Sequence, residues 1–160
     1  MQIEQRLEAL GLILPPAPQP PPGVVVPFEW VRVFGNRAYV AGHGPQLADG
    51  SFAGPFGKVG AEVSPDQAYA AARLATLSIL GNLKRALGDL DRIAAWLMVS
   101  GHVAVAPGFN RTTNVINACS DLLLEIFGSE KGAHARTAIG VAELPLGSPV
   151  VIAAEVAVLV

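Results

Sequence analysis

Charge is scarce in this sequence. Only 15% of its 160 residues are Asp, Glu, Lys or Arg, whereas 51% are apolar. For a single domain of this size that balance implies apolar surface buried against other subunits. Positive charge is especially thin, with 11 Lys and Arg against 13 Asp and Glu and a formal charge of −2. Without a basic stripe to neutralise phosphates, a nucleic-acid partner is not expected. Cys119 is the one cysteine, so no internal disulfide can form and nothing points to an oxidising compartment. The three histidines, His43, His102 and His134, have no zinc-ligand spacing, so no metal is expected.

Other absences narrow the chemistry. The apolar run from Val150 to Val160 is too short to span a bilayer and contains Glu155. The first residues do not read as a signal peptide, because Glu4, Arg6 and Glu8 interrupt them and Pro15-Pro16 follow. A cytoplasmic protein with no membrane partner is the expectation. Gly42-His43-Gly44-Pro45 has neither the Walker nor the dinucleotide glycine spacing and opens no helix, so it reads as a turn. No Gly-x-Ser-x-Gly elbow exists. Ser100-Gly101-His102 sets a serine near a histidine, but strand residues alternate faces, so no dyad is expected.

What is present reads as an ordered series of elements. Ile3, Leu7 and Leu10 fall on one face of a short helix over residues 2–11. Six prolines lie between Pro15 and Pro22, an extended connector that cannot be helical and is expected to lie on the surface. Residues 1–22 are therefore expected as helix and arm, and 23–160 as the main domain. Trp30 to Phe34 and Ala38 to Ala41 flank Gly35-Asn36-Arg37, the pattern of a β-hairpin. Residues 49–60 read as a Gly-rich loop. Ser64-Pro65-Asp66-Gln67 is a helix start, with a capping serine, proline at the first position and glutamine closing a capping box. Its apolar face runs through Tyr69, Ala72, Leu77, Leu80, Leu83 and Leu87 to Gly88. A buried strand (93–105) follows. A second helix, 109–127, carries Val115, Cys119, Leu122 and Ile126 on one side and is stopped by Gly128. Two strands, 136–142 and 150–160, close the chain.

Two long helices among about five strands predict a two-layer α+β domain with both helices on one sheet face. The strands lack strict alternation, so the other face is expected to be covered by further subunits. Among chemistry-bearing residues Arg136 stands out. It sits at the mouth of an apolar strand, where it is either an exposed strand-end charge or a planar fork suited to a carboxylate. Cys119, on the inner face of a helix, reads as a small hydrophobe rather than a nucleophile.

The run from Ala135-Arg136 to Leu144-Pro145 resembles the signature of the reactive-intermediate deaminase family, also called the YjgF or endoribonuclease L-PSP family. The similarity continues through Gly35-Asn36, Tyr39-Val40-Ala41-Gly42, Gly88-Asp89-Leu90 and the helix bearing Asn117, and covers residues 23–160. The chain is most similar to a subgroup with an N-terminal helix, a proline linker and a Phe-Gly-x-x-x-Gly-x-His-Ala-Arg segment, here Phe127 to Arg136.

The resemblance implies a chorismate-mutase-like α+β fold, a mixed sheet with two long helices on one face. It also implies a homotrimer with ligand sites between subunits, no cofactor, and an arginine, Arg136, that holds a substrate carboxylate. Active members hydrolyse imines or enamines such as 2-aminoacrylate. Gly42 and Asn117 match family site positions, whereas Ala41 stands for a serine, Phe28 for a tyrosine and Ala138 for a cysteine. Val151 stands where active members carry a water-positioning glutamate, and Glu155 lies four residues further along that strand, about 13 Å away.

Two readings follow, an imine or enamine deaminase-type hydrolase and a non-catalytic trimer that binds small carboxylates. In the hydrolase reading His43 or His134 stands in as proton carrier. A third reading, endoribonuclease or translation inhibitor, comes from the family's older name, and the acidic net charge argues against it.

Overall fold

A computed structural model describes residues 2–160 of the chain. Eight elements run in the order α1 (Gln2–Ala9), β1 (Val31–Phe34), β2 (Arg37–His43), α2 (Pro65–Leu87), β3 (Ile93–Ala104), α3 (Thr112–Lys131), β4 (Ala135–Val141) and β5 (Val150–Val158). The strands form one mixed sheet in the order β1-β2-β5-β3-β4. Only β3 and β4 pair in parallel; the other neighbours are antiparallel. The α+β architecture expected from the element order is what the chain adopts.

Local chemistry explains the boundaries. The α2 start is a full capping box: the Ser64 hydroxyl accepts from the Gln67 N–H at 3.1 Å, and the Gln67 side chain accepts from the Ser64 N–H at 3.0 Å. Its buried face opens on Ala68, Ala71, Ala72 and Ala75 rather than on Tyr69, whose ring is exposed and hydroxyl reaches Asp121. The β-hairpin turns on two residues, Gly35-Asn36, because Arg37 already pairs with Phe34 in the ladder. The second helix begins three residues later than expected. Gly128 breaks it with φ 78, but one further turn carries the backbone to Lys131.

Both long helices pack on one face of the sheet. Ile79, Leu80 and Leu83 of α2 and Ile116, Leu122, Leu123 and Ile126 of α3 are fully buried against Ile93, Val99, Ile152 and Val156. Along β5 buried and half-buried residues alternate without a break, and Val151, Ala153, Glu155 and Ala157 face away from the helices. Among the described residues no helix packs on that second face, and its β5 residues are left half-buried. Among the described residues no helix is long and apolar enough to cross a membrane.

The N-terminal segment is part of the same core. Ile3 and Leu7 of α1 are buried in it. Asp91 Oδ2 and Oδ1 accept from the Gln2 and Ile3 N–H groups at 2.7 and 2.9 Å, and Glu4 Oε1 accepts from the Leu90 N–H. These bonds satisfy amides that a helix start leaves open and fix α1 to the turn before β3. The proline arm lies on the surface and is docked there: Pro15 and Pro18 are buried, whereas Pro16, Ala17, Gln19, Pro21 and Pro22 are exposed. The Pro15 carbonyl accepts from Arg85 at 3.1 Å and the Pro16 carbonyl from Gln46 at 3.4 Å, while the Gln19 N–H donates to Gly50 O at 3.3 Å. At Gly81 of α2 a β-carbon would lie 2.8 Å from Pro15 O, so the arm's close approach requires glycine there.

Candidate functional site

The sequence-predicted site residues fall into two groups on different parts of the sheet. The first lies on β4, an edge strand. Arg136 turns its side chain toward α3, where Nη1 donates to Asn117 Oδ1 at 2.9 Å and to Ser120 Oγ at 3.0 Å. Nη2 approaches the Thr113 carbonyl at 3.4 Å. Every acceptor is neutral. These bonds give the half-buried guanidinium a defined direction, and a planar fork of this kind is suited to an anion.

His134 belongs to the same cluster. Its Nδ1 lies 2.7 Å from the Gly132 carbonyl, which can only accept, so Nδ1 carries the proton. Nε2 is then the acceptor for the Ser120 hydroxyl at 2.8 Å, leaving Ser120 Oγ to accept from Arg136. The chain of bonds from Gly132 to Arg136 therefore has one polarity in the neutral imidazole, and both nitrogens are occupied. Ser120 was not singled out from the sequence, although its spacing from Asn117, three residues on one helix, places both on the face toward β4.

The second group surrounds Gly42 at the end of β2. Phe28, Trp30, Gly42, Phe52, Phe56 and Val151 line a cavity of about 280 Å³. Phe28 and Trp30 pack edge to face, with ring centroids 5.2 Å apart. Gly42 abuts the neighbouring strand: a β-carbon there would meet Val151 Cγ1 at 2.8 Å. Ala41 is half-buried beside it, and its carbonyl accepts from His43 Nδ1 at 2.6 Å. Val151 adds only methyl groups to the wall. Glu155 is engaged elsewhere, in an ion pair with Arg37 across β2.

His43 lies on the helix side of the sheet, 1% exposed. With Nδ1 donating to Ala41, its Nε2 accepts from Asn82 Nδ2 at 2.7 Å, and Asn82 Oδ1 in turn accepts from Arg85 Nε and Nη2. Burial is the main reason its pKa falls from 6.5 to about 4, with the Arg85 charge acting in the same direction. Ser100 and His102 are two residues apart and so share the helix-free face, contrary to the sequence expectation. His102 Nδ1 turns to the Val151 carbonyl at 3.2 Å instead of to Ser100. Cys119 is 1% exposed, and burial pushes its thiol up to about 11.

Between β2 and β4 lie β5 and β3, so the Arg136 and Gly42 groups are three strand spacings apart, roughly 14 Å at about 4.8 Å each. Arg136 also faces the helix layer, whereas Val151 faces the open side. Within one chain the Arg136 guanidinium and the apolar pocket do not meet.

A mixed five-stranded sheet with two long helices on one face is a chorismate-mutase-like α+β fold. The chain belongs to the YjgF family: residues 4–156 match the family model described as "YjgF/chorismate mutase-like, putative endoribonuclease". It is 36% identical to Protein TCP17 of Trypanosoma cruzi over 93% of this chain and 89% of that protein. The crystal structure of a protein of unknown function from Agrobacterium tumefaciens is also 36% identical, with a TM-score of 0.84 over 98% of this chain and 91% of that one. A Shewanella oneidensis protein described as a "putative endoribonuclease" is 31% identical, with a TM-score of 0.88 over 98% and 99%.

Proposed function

We propose that this protein binds a small carboxylate-bearing metabolite between two copies of itself, with Arg136 of one copy holding the carboxylate at the Gly42 pocket of the next. The observation that carries the reading is the Arg136 guanidinium, oriented by Asn117 and Ser120 and bonded only to neutral acceptors. Separation of the two half-sites within one chain supports placing the ligand at an interface. The uncovered sheet face supports a closed cyclic assembly, which the family resemblance makes a homotrimer. Phe28, Ala41, Gly42 and Asn117 frame the ligand in this arrangement, and no cofactor takes part.

Hydrolysis of an imine or enamine is the second reading, favoured by family membership together with Arg136. Arg136 would anchor the acid and a backbone N–H near Gly42 would polarise the reacting atoms. The pocket wall at Val151 offers no group to orient water, and both ring nitrogens of His43 and of His134 are already engaged. Binding without catalysis is therefore the better-supported function.

Calorimetry with a 2-oxo acid tests binding, and ammonia release from freshly generated 2-aminoacrylate tests catalysis. The expected result is saturable binding that Arg136→Ala abolishes, with ammonia release at the uncatalysed rate. Binding that survives Arg136→Ala would overturn the anion-site assignment, and Arg136-dependent ammonia release would restore the hydrolase reading.

A further inference from the structure

The cavity beside Gly42 has an outer wall built from the N-terminal arm and the residues after it. Pro20 of the arm and Val24, Val25 and Val26 of the segment that continues it close one side, and Leu146, from the 3-10 turn after β4, closes another. The chain just before this wall is anchored by the bonds between Arg85, Gln46 and Gly50 and the arm at Pro15, Pro16 and Gln19, and a turn bonded from the Val24 N–H to the Pro21 carbonyl at 3.1 Å leads into it. Leu146 is the one described non-glycine residue in the left-handed region, with φ 58. Such a backbone is unfavourable for a leucine and persists where the surrounding structure enforces it, often beside a ligand.

The cavity's chemistry is one-sided. Ser148 is the single residue with a polar side chain besides Trp30 on its lining, and its hydroxyl already donates to Val150 O at 2.8 Å. Meanwhile Val25, Phe28, Phe56 and Leu146 stand 81%, 52%, 50% and 48% exposed around it. At about 30 Å³ per water, 280 Å³ corresponds to roughly nine waters, and a methyl group would displace about one of them. A branched or aromatic group fills much more of the space and removes both its own surface and the rim's from water.

We infer that residues 20–26 and Leu146 form a selectivity wall, so that the site takes carboxylates carrying a branched or aromatic apolar side chain in preference to the smallest ones. The inference rests on the proposed carboxylate site. Arg136 holds the charged end, and the arm-walled cavity receives the side chain. The N-terminal extension thereby has a role in substrate choice, acting through its docked position on the main domain.

The test is isothermal calorimetry of the full chain with pyruvate, 4-methyl-2-oxopentanoate and phenylpyruvate, on wild type, Val24→Asn, Leu146→Asn and Arg136→Ala. Asparagine tolerates the left-handed backbone, so Leu146→Asn removes the apolar wall without unfolding the turn. Wild type is expected to bind the two larger acids at least tenfold more tightly than pyruvate. Val24→Asn and Leu146→Asn should each weaken the larger acids several-fold more than they weaken pyruvate, narrowing the wild-type preference, whereas Arg136→Ala should lose all three. Equal affinities in wild type, or wall variants with wild-type preferences, would overturn the selectivity wall and leave the carboxylate site standing. That result would also be expected if a side chain of a second copy fills the cavity. No binding of any acid would overturn both.

Discussion

Acidification should unfold this protein partly through one buried imidazole. His43 sits in a network whose hydrogen-bond directions require it to be neutral: Nδ1–H donates to Ala41 O, and Nε2 accepts from an Asn82 amide whose oxygen is committed to Arg85. A proton on Nε2 would face the Asn82 N–H donors and add a charge near Arg85. The folded pKa of about 4 lies below the ordinary 6.5, so between these values the unfolded chain binds more protons than the folded one. Stability from this group is complete above pH 6.5 and is lost as pH falls toward 4. Over the two units from pH 6.5 to 4.5, at about 1.4 kcal/mol per unit, the loss comes to roughly 2.5 kcal/mol. Urea unfolding at pH 7.5 and 4.5, on wild type and on His43→Gln, isolates the imidazole's contribution because glutamine does not titrate. Wild type should lose about 2.5 kcal/mol more than the variant over this range. Equal losses, or an NMR titration of His43 with a midpoint near 6.5, would refute the reasoning.

Two further outcomes follow from burial and from the open sheet face. Cys119, with its thiol pushed up to about 11 by burial, should resist a thiol-specific disulfide reagent in the native protein and react at once in denaturant. A fast native reaction would mean that the face between α2 and α3 opens readily. Sedimentation should give a stable trimer whose mass does not fall on moderate dilution, and a stable monomer would remove the basis for an interface site.

The fold was legible wherever a local rule and the core agreed. Ser64 to Gln67 names its own capping box, Gly35-Asn36 its hairpin, and the apolar spacing of Val115, Cys119, Leu122 and Ile126 the buried side of α3. Tyr69 misled because helical spacing does not distinguish an aromatic ring in the core from one at the rim. Glycine is a strong stop signal, yet one more turn follows Gly128, its amide nitrogen at Gly132 reaching the Gly128 carbonyl at 2.9 Å. The prolines of the arm exclude a helix but do not say where the arm docks. Its anchors, Gln46, Gly50 and Arg85, lie 30 or more residues away in the chain.

The site divided in the same way. Arg136 and Asn117 stood out by residue type and by resemblance, and the structure joins them. The cavity was invisible, since its walls come from the arm, β2, β5 and the turn at Leu146, and each contributes only ordinary apolar residues. Val151 was visible as a departure from the family pattern, and its place in that wall gives the departure a physical sense. A methyl-lined surface is compatible with holding an apolar side chain and incompatible with activating water.

The central claim is that one copy supplies Arg136 and the next supplies the Gly42 pocket. It is tested most directly by counting 2-oxo acid sites in mixed oligomers of Arg136→Ala and Gly42→Val chains, co-refolded in equal amounts. A β-branched residue at position 42 would drive into Val151, whose Cγ1 is already 2.8 Å from where a β-carbon would sit, and block the pocket. Each variant alone should bind nothing. With random assembly in a cyclic oligomer, about one cleft in four pairs an intact Arg136 with an intact Gly42, so calorimetry should recover about a quarter of the wild-type sites. Recovery of none, with wild-type oligomer size, would place the whole site within one chain and contradict the account.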